Sequence, residues 1–245
     1  MRLINKYILT AIISILASTS LMAQDSFESA MEKLGFDRNV RDNYLADHLE
    51  VGVRVSHFTL DEDKKQEFDE NGEFTGGFLG SIDRLEEEQD YVPTLYVRYN
   101  FTEYVGVEVG WDKFEVKTGT YFNTTDGNFI YSGLNLLLRG RYPNETILTP
   151  YASLGWSFLS GEVDYNPEWH QNGRRNLYPD DTTAFSFGAG CEVEIASNWS
   201  LDLALRYIKA DFDVEYKLAA EPTSRGSFNF PLDNTTVQAG ISYCF

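Results

Sequence analysis

Hydrophobic and polar residues alternate with a period of two through much of the chain after residue 48. In LEVGVRVSHF (49–58), for example, the apolar residues fall at odd positions, with Glu50, Gly52 and Arg54 between them. This pattern is typical of a β-strand whose two faces meet different surroundings. Eight segments follow it, at 49–58, 91–101, 105–112, 132–142, 151–158, 185–195, 199–207 and 237–245.

The connections between these segments alternate in length. Those at 102–104, 143–146 and 196–198 are short, the one at 118–128 is intermediate, and those at 61–90, 161–182 and 216–233 are long. Short turns at one end and long loops at the other are typical of bacterial outer-membrane barrels. The sequence therefore predicts an all-β fold, an eight-stranded antiparallel transmembrane β-barrel with short periplasmic turns and long extracellular loops.

A soluble β-sandwich also alternates, but two features of the faces argue against it. The polar face is rich in Gly, Ser, Asn and both Arg and Glu, as expected of a narrow filled lumen rather than a wetted surface. The apolar face ends in aromatic residues, which favour bilayer interfaces. These residues are Tyr99, Phe101, Tyr142, Trp199 and Tyr243 at one rim, and Tyr91, Trp111, Trp156 and Tyr207 at the other.

The N-terminus has the composition of a secretory signal. Arg2 and Lys6 precede an apolar run at 7–16, and small residues lead to a cleavage site after Ala23. We expect a signal peptide at 1–23, an N-terminal periplasmic segment at 24–47 and the barrel at 48–245. The expected location is the outer membrane of a Gram-negative bacterium, reached through a cleaved signal peptide.

The end of the chain, GISYCF, resembles the C-terminal signal of Gram-negative outer-membrane proteins, with Tyr243 and Phe245 at alternate positions. The resemblance implies recognition by the outer-membrane assembly machinery. With the hairpin PTLYVRYNFTEYVGVEVGW and the strand TPYASLGWSF, the chain resembles the OmpW-like family of eight-stranded barrels. That family resemblance implies passage of small hydrophobic molecules, which enter an apolar vestibule and leave sideways into the membrane.

Composition and charge limit the partners and activities that the chain can be expected to have. The formal net charge of -18 argues against nucleic acid as a partner and leaves outer-membrane lipid and lipopolysaccharide as the expected surroundings. A lipid-modifying enzyme would need a His paired with Ser or a carboxylate. His57 follows Ser56 directly, so the two side chains point to opposite faces of a strand, and neither enzyme activity nor a cofactor is predicted.

The loop at 61–90 holds 12 acidic and three basic residues. Glu67, Asp69 and Asn71 match part of a calcium-binding loop, but Phe78 stands where the closing Glu belongs. Asn71–Gly72 is better explained as a hairpin turn, so no metal site is predicted. The acidic loop either reaches lipopolysaccharide through divalent ions or is a solvated surface loop, and the second alternative is favoured.

Strand parity assigns two sets of inward residues. The ionic plug, near the periplasm, is expected to pair internally because a lone charge in a closed lumen is costly. Its members are Glu50, Arg54, Arg98, Glu108, Arg139, Arg141, Glu192, Asp202 and Arg206, with Glu194 as a further candidate. The ligand-lining set, toward the outside, is Phe58, Leu60, Phe114, Tyr131, Leu159 and Ile208. This second set forms either an apolar vestibule or the core of the loops.

Two functions follow from these features. The first is a passive channel for small hydrophobic molecules, with Pro93 and Pro150 placed to open a gap between strands because proline cannot donate a ladder hydrogen bond. The alternative is a closed structural or adhesive barrel that resembles the membrane domain of OmpA and presents acidic extracellular loops.

Overall fold

The computed structural model describes residues 48–61, 67–68, 74–76, 82–88, 91, 93–120, 125, 127–167, 175–218 and 225–245. The predicted signal peptide, the segment 24–47 and the Asn71–Gly72 turn lie outside the described residues. The strands are β1 Leu49–Leu60, β2 Glu67–Phe68, β3 Phe74–Gly76, β4 Ile82–Glu88, β5 Thr94–Asn100, β6 Val105–Thr120, β7 Gly127–Arg141, β8 Leu148–Tyr165, β9 Arg175–Pro179, β10 Thr182–Ala196, β11 Trp199–Lys209, β12 Asp211–Leu218, β13 Arg225–Pro231 and β14 Asn234–Cys244. Across these ranges no helix is long and apolar enough to cross a membrane.

Eight of the strands close into an antiparallel barrel in the order β1, β5, β6, β7, β8, β10, β11, β14. The ring closes where β14 returns to β1, in a register that runs from Glu50↔Cys244 to Leu60↔Asn234. The predicted eight-stranded barrel is confirmed. The connections at 101–104, 142–147 and 197–198 lie at one end, called the turn end, and the longer connections lie at the loop end.

The two faces of the wall reverse the usual pattern of a soluble protein. On β7, Leu134, Leu136 and Leu138 are 53%, 44% and 47% exposed on the outer surface. Asn135 and Arg139, which alternate with them, are at most 1% exposed. The apolar side chains therefore point outward and the polar ones into the lumen, as in a barrel surrounded by lipid.

Inward glycines make room for two lumenal tyrosines. Gly52 pairs with Tyr96 across β1 and β5, and a Cβ on Gly52 would lie 2.3 Å from the Tyr96 ring. Gly190 pairs with Tyr151 across β10 and β8, and a Cβ on Gly190 would lie 2.4 Å from the Tyr151 ring. Each large ring therefore occupies the space left by a glycine on the neighbouring strand, which is how a narrow barrel holds aromatic side chains inside.

The loop end contains more strand than the alternation predicted. β6 continues to Thr120 and β8 to Tyr165, because β4 and β7 pair with the outer part of β6 and β7 pairs with the outer part of β8. β12 pairs with both β13 and β9 in a separate three-stranded sheet. Residues of the barrel and of this sheet share one apolar core, formed by Phe58, Leu85, Phe114, Val116, Phe129, Tyr131, Leu159, Leu177, Ala184, Ile208, Ala210, Phe212, Val214, Phe230 and Leu232.

Candidate functional site

The predicted ionic plug forms in the turn-end half of the lumen. All of its members except Arg141 are at most 6% exposed, and Arg141 is half-buried with Nη2 2.8 Å from Glu192 Oε2. Glu194 does not join the plug. It keeps the regular register with Ser200 but is exposed near the turn end, and the register between β10 and β11 shifts only after it.

Arg98 is the hub of the plug. Its Nε donates to Glu108 Oε2 at 2.6 Å and its Nη1 donates to Glu192 Oε1 at 2.8 Å. Its Nη2 donates to Asp202, and Nη1 also lies 3.4 Å from Glu50 Oε2. In the eight-strand ring, β5 lies opposite β10, so the Arg98 side chain connects opposite sides of the wall across the lumen.

This bridging has a specific electrostatic reason. Glu192 and Asp202 are direct partners in the β10–β11 register, and like charges placed opposite each other destabilise a sheet. Arg98 bonds to both carboxylates, and Arg139 Nη1 donates to Glu192 Oε1 at 2.8 Å. The acidic pair on one wall is thus compensated by arginines from β5 and β7.

A second charged level lies nearer the loop end. Asp112 Oδ2 accepts from Arg206 Nη2 at 2.5 Å and from Ser157 Oγ at 2.6 Å. Asp112 Oδ1 accepts from Asn135 Nδ2 at 2.8 Å and from Arg206 Nη1 at 3.1 Å. Asp112 was not among the predicted members of the plug, although it alternates with the outward Trp111 on β6 and is 5% exposed.

Two tyrosines complete the packing of the plug. The Tyr96 ring lies between two guanidinium groups, with its centroid 4.5 Å from Arg54 Cζ and 4.4 Å from Arg98 Cζ. The Tyr151 ring lies 3.7 Å from Arg139 Cζ, and its hydroxyl donates to Asp202 Oδ1 at 2.8 Å. Alternation along a strand cannot predict these cation–π contacts, because each ring and its guanidinium partner lie on different strands.

The buried charges balance. Among the described lumenal residues, five arginines face five carboxylates, so these ten groups carry no excess charge that would need a counter-ion from solution. The basic members are Arg54, Arg98, Arg139, Arg141 and Arg206, and the acidic members are Glu50, Glu108, Asp112, Glu192 and Asp202.

The predicted ligand-lining residues belong to the loop-end apolar core. Phe58, Phe114, Tyr131, Leu159 and Ile208 are 5%, 3%, 0%, 2% and 1% exposed, and Leu60 is half-buried against the same core. Phe58 and Phe114 meet edge to face, with ring centroids 5.6 Å apart. The set is therefore packed by its own side chains and by the three-stranded sheet, and contact with a solute stays a prediction.

The wall has a gap at one position. The β5–β6 ladder stops at the pair Tyr96↔Gly110, and the β4–β6 ladder starts only at Glu88↔Glu115. The four residues of β6 between these ladders, 111–114, have no strand partner on that side among the described residues. By contrast, β7 and β8 pair without interruption from Gly127↔Tyr165 to Arg141↔Tyr151.

A cavity of about 530 Å³ occupies this gap, which we call the lateral opening. Its outer margin includes Leu95 and Trp111, which are 67% and 45% exposed on the lipid-facing surface. Its inner end is lined by Phe58, Tyr96 and Gln238, whose side chains point into the lumen. The cavity thus connects the outer surface with the lumen between the Asp112–Arg206 pair and the apolar core.

The two prolines that were expected to open a gap between strands lie in different surroundings. Pro93 directly precedes β5 and lines the lateral opening. Pro150 pairs with Cys191 inside a β8–β10 register that runs without a break from Leu148 to Leu159. The expectation of a gap at Pro150 is therefore wrong, because a proline at the turn end of a long strand leaves the rest of the ladder intact.

Aromatic side chains cluster where the chain ends. The ring centroids of Tyr243 and Trp199 are 5.1 Å apart, and those of Tyr243 and Phe245 are 5.0 Å apart. The backbone N–H of Phe245 donates to Leu49 O at 3.0 Å, which fastens the last residue to the first barrel strand. The role of Tyr243 and Phe245 in assembly stays a prediction.

The histidines within the described residues contact neighbours other than the nucleophile or carboxylate that hydrolysis needs. Tyr91 Oη lies 3.1 Å from His57 Nδ1 on the outer face, whereas Ser56 lines the lateral opening. His48 Nδ1 lies 2.6 Å from the backbone oxygen of Asn100 at the turn end.

A family comparison assigns the class of this barrel. Residues 16–245 match the family model described as "Outer membrane protein beta-barrel domain", so the chain belongs to that family. The family places the chain in the outer membrane of Gram-negative bacteria. No curated protein sequence matches the chain.

Three solved structures show the same fold. The first is OprG from Pseudomonas aeruginosa, with a TM-score of 0.63 and 16% identity, over 82% of this chain and 97% of that chain. The second is AlkL in DMPC lipid bilayers, with a TM-score of 0.60 and 18% identity, over 83% of this chain and 92% of that chain. The third is OmpW of E. coli, with a TM-score of 0.51 and 19% identity, over 83% of this chain and 100% of that chain. The resemblance to OmpW-like barrels is confirmed at the level of the fold.

Proposed function

We propose that this protein is a passive channel for small hydrophobic molecules, and that the lateral opening is where solutes pass between the barrel and the lipid. The observation that carries the proposal is that β6 has no strand partner among the described residues between the Tyr96↔Gly110 and Glu88↔Glu115 pairs. A cavity of about 530 Å³ lies within the range of small-molecule sites. In this proposal the signal peptide at 1–23 directs export, and the acidic loop-end surface faces lipopolysaccharide.

The two ends of the lumen determine the direction in which such a solute leaves. Toward the turn end the ionic plug fills the lumen with paired charges, which an apolar molecule cannot solvate. Sideways, the margin at Leu95 and Trp111 is apolar and faces lipid. A hydrophobic solute in the lumen therefore has a favourable path only through the wall.

The test closes the opening from its own margin. Pro93 has no N–H to donate, so replacing it adds one backbone donor three residues before the point where the β5–β6 ladder stops. We expect Pro93→Val to extend that ladder and to reduce uptake of an apolar dye by proteoliposomes. Pro150→Val, in the uninterrupted β8–β10 ladder, is the matched control and should leave uptake unchanged.

A closed structural barrel is the second candidate, and the packing of the loop-end core favours it. Phe129, Phe212 and Phe230 form mutual ring contacts at centroid distances of 5.3 to 5.8 Å, so the core has its own internal partners. Equal dye uptake by wild type, Pro93→Val and protein-free vesicles would support this candidate and remove the channel proposal.

A further inference from the structure

Four of the described residues that line the lateral opening are charged, and three of these four have ion-pair partners. Asp112 is paired with Arg206 at 2.5 Å on the lumenal side. Lys113 Nζ lies 3.4 Å from Glu115 Oε2, so these two compensate each other at the outer side. Glu88 is exposed and has no ion-pair partner among the described residues.

We infer that Glu88 makes the lateral opening selective for the charge of a solute's head group, and that an alkyl cation passes in preference to an alkyl anion. This inference rests on the proposed function and names the solutes that the opening prefers: an apolar body with a cationic head.

The shape and lining of the cavity fit such an amphiphile. The apolar margin at Leu95 and Trp111 accommodates a hydrocarbon chain. The inner end offers Ser56 and Gln238, which bond to each other at 3.3 Å and carry no charge. Among the described lining residues, a head group therefore meets uncompensated charge at Glu88, where β4 meets β6 and the opening ends toward the loop end.

Attraction and repulsion at this position act in opposite directions on the two solute classes. Two unit charges about 4 Å apart in water interact strongly enough to change a rate or an affinity by about fivefold. Glu88 is exposed, so the value for water is the appropriate one. Wild type should favour the cation, and removing the carboxylate should slow the cation and speed the anion, each by up to about fivefold.

The experiment compares initial uptake of hexyltrimethylammonium and hexanesulfonate by proteoliposomes of zwitterionic lipid. Both probes keep their charge at all working pH values, and an uncharged apolar dye is measured in the same vesicles. Wild type, Glu88→Gln and Glu88→Lys are compared, and Glu88→Lys should reverse the preference. Glu215→Gln is the matched control, because Glu215 is an exposed glutamate of β12 away from the opening.

The outcomes separate this inference from the proposal beneath it. Dye uptake that equals that of protein-free vesicles overturns both. Normal dye uptake with equal rates for cation and anion in wild type overturns the role of Glu88 alone. A charge preference that Glu88→Gln and Glu215→Gln reduce equally also overturns it, since the preference would then come from overall acidity.

Discussion

The two halves of the lumen are both buried, but different kinds of interaction stabilise them. In the turn-end half, Arg98 is 1% exposed and bonds to carboxylates on the opposite wall. In the loop-end half, Phe129 is 0% exposed and packs in the apolar core, with ring contacts to Phe212 and Phe230. The stability of the first half depends on specific ion-pair partners, whereas that of the second depends on how well apolar side chains fill the available volume.

This difference determines how each half should respond to substitution. A buried charge that loses its partner keeps its desolvation cost and gains nothing in return. An apolar core tolerates a change of shape when its volume is kept. Substitutions of similar size should therefore be severe near the turn end and mild near the loop end.

The largest effect is expected for Arg98→Met. The change keeps an unbranched side chain but leaves Glu192 and Asp202 facing each other across β10 and β11 with one bridging cation fewer. We expect a loss of about 3–5 kcal/mol in the free energy of unfolding. Urea unfolding in lipid vesicles, followed by tryptophan fluorescence, measures it.

Lys113→Met provides the contrast for Arg98. Its ion pair with Glu115 is partly exposed, at 31% for the lysine side chain, and such pairs contribute about 0–1 kcal/mol. If Arg98→Met and Lys113→Met lower the unfolding midpoint by the same amount, the plug is solvated and the contrast between the halves is lost.

A middle effect is expected for Gly52→Ala in the turn-end half. The added Cβ would lie 2.3 Å from the Tyr96 ring, which itself is held between Arg54 and Arg98 and cannot move freely. Overpacking of this kind costs about 1–3 kcal/mol. The matched control is Gly140→Ala, whose Cβ would have nothing within 4 Å, and similar midpoints for the two variants would contradict the packing argument.

A smaller effect is expected for Leu159→Met in the loop-end half. Leu159 is 2% exposed in the apolar core, so the side chain is as buried as the plug, but its replacement keeps volume and polarity. We expect a loss of less than about 1.5 kcal/mol in the same unfolding assay. A loss as large as that of Arg98→Met would show that the core depends on exact shape as strongly as the plug depends on partners.

The smallest effect on folded stability is expected outside both halves, at Phe245. The contacts that its deletion removes include a ring contact with Tyr243 and a backbone hydrogen bond to Leu49 at the turn end. The unfolding midpoint should change little, whereas the amount of membrane-inserted protein in cells should fall. Wild-type amounts of inserted protein from the deletion variant would remove the assembly role of Phe245.

The sequence predicted the wall and the plug better than it predicted the opening. Alternation determines which side chains share a face, and parity alone predicts the inward positions of Glu108 and Arg139. Parity gives no depth, and Glu194, in regular register with Ser200, lies exposed at the turn end. Tyr96 shares the inward face of Arg98, but the glycine on β1 that makes room for its ring lies on another strand and cannot be found from alternation along β5.

The lateral opening depends on where ladders end, and that is a property of pairs of strands. Pro93 gave the only local signal, and Pro150 gave the same signal without a gap. The distinction arises because β4, in a segment predicted to be loop, takes over the edge of β6 from Glu115 onward. No periodicity within 61–90 indicated that pairing.

The balance of five arginines against five carboxylates also has an electrical consequence. A potential across a membrane does work of about 2.3 kcal/mol per 100 mV on each elementary charge that crosses it. A group of ten charges with zero sum that shifts as one body transfers no net charge, so the field does almost no work on it. Although this barrel carries a dense column of ions through its centre, its lumen should be insensitive to voltage.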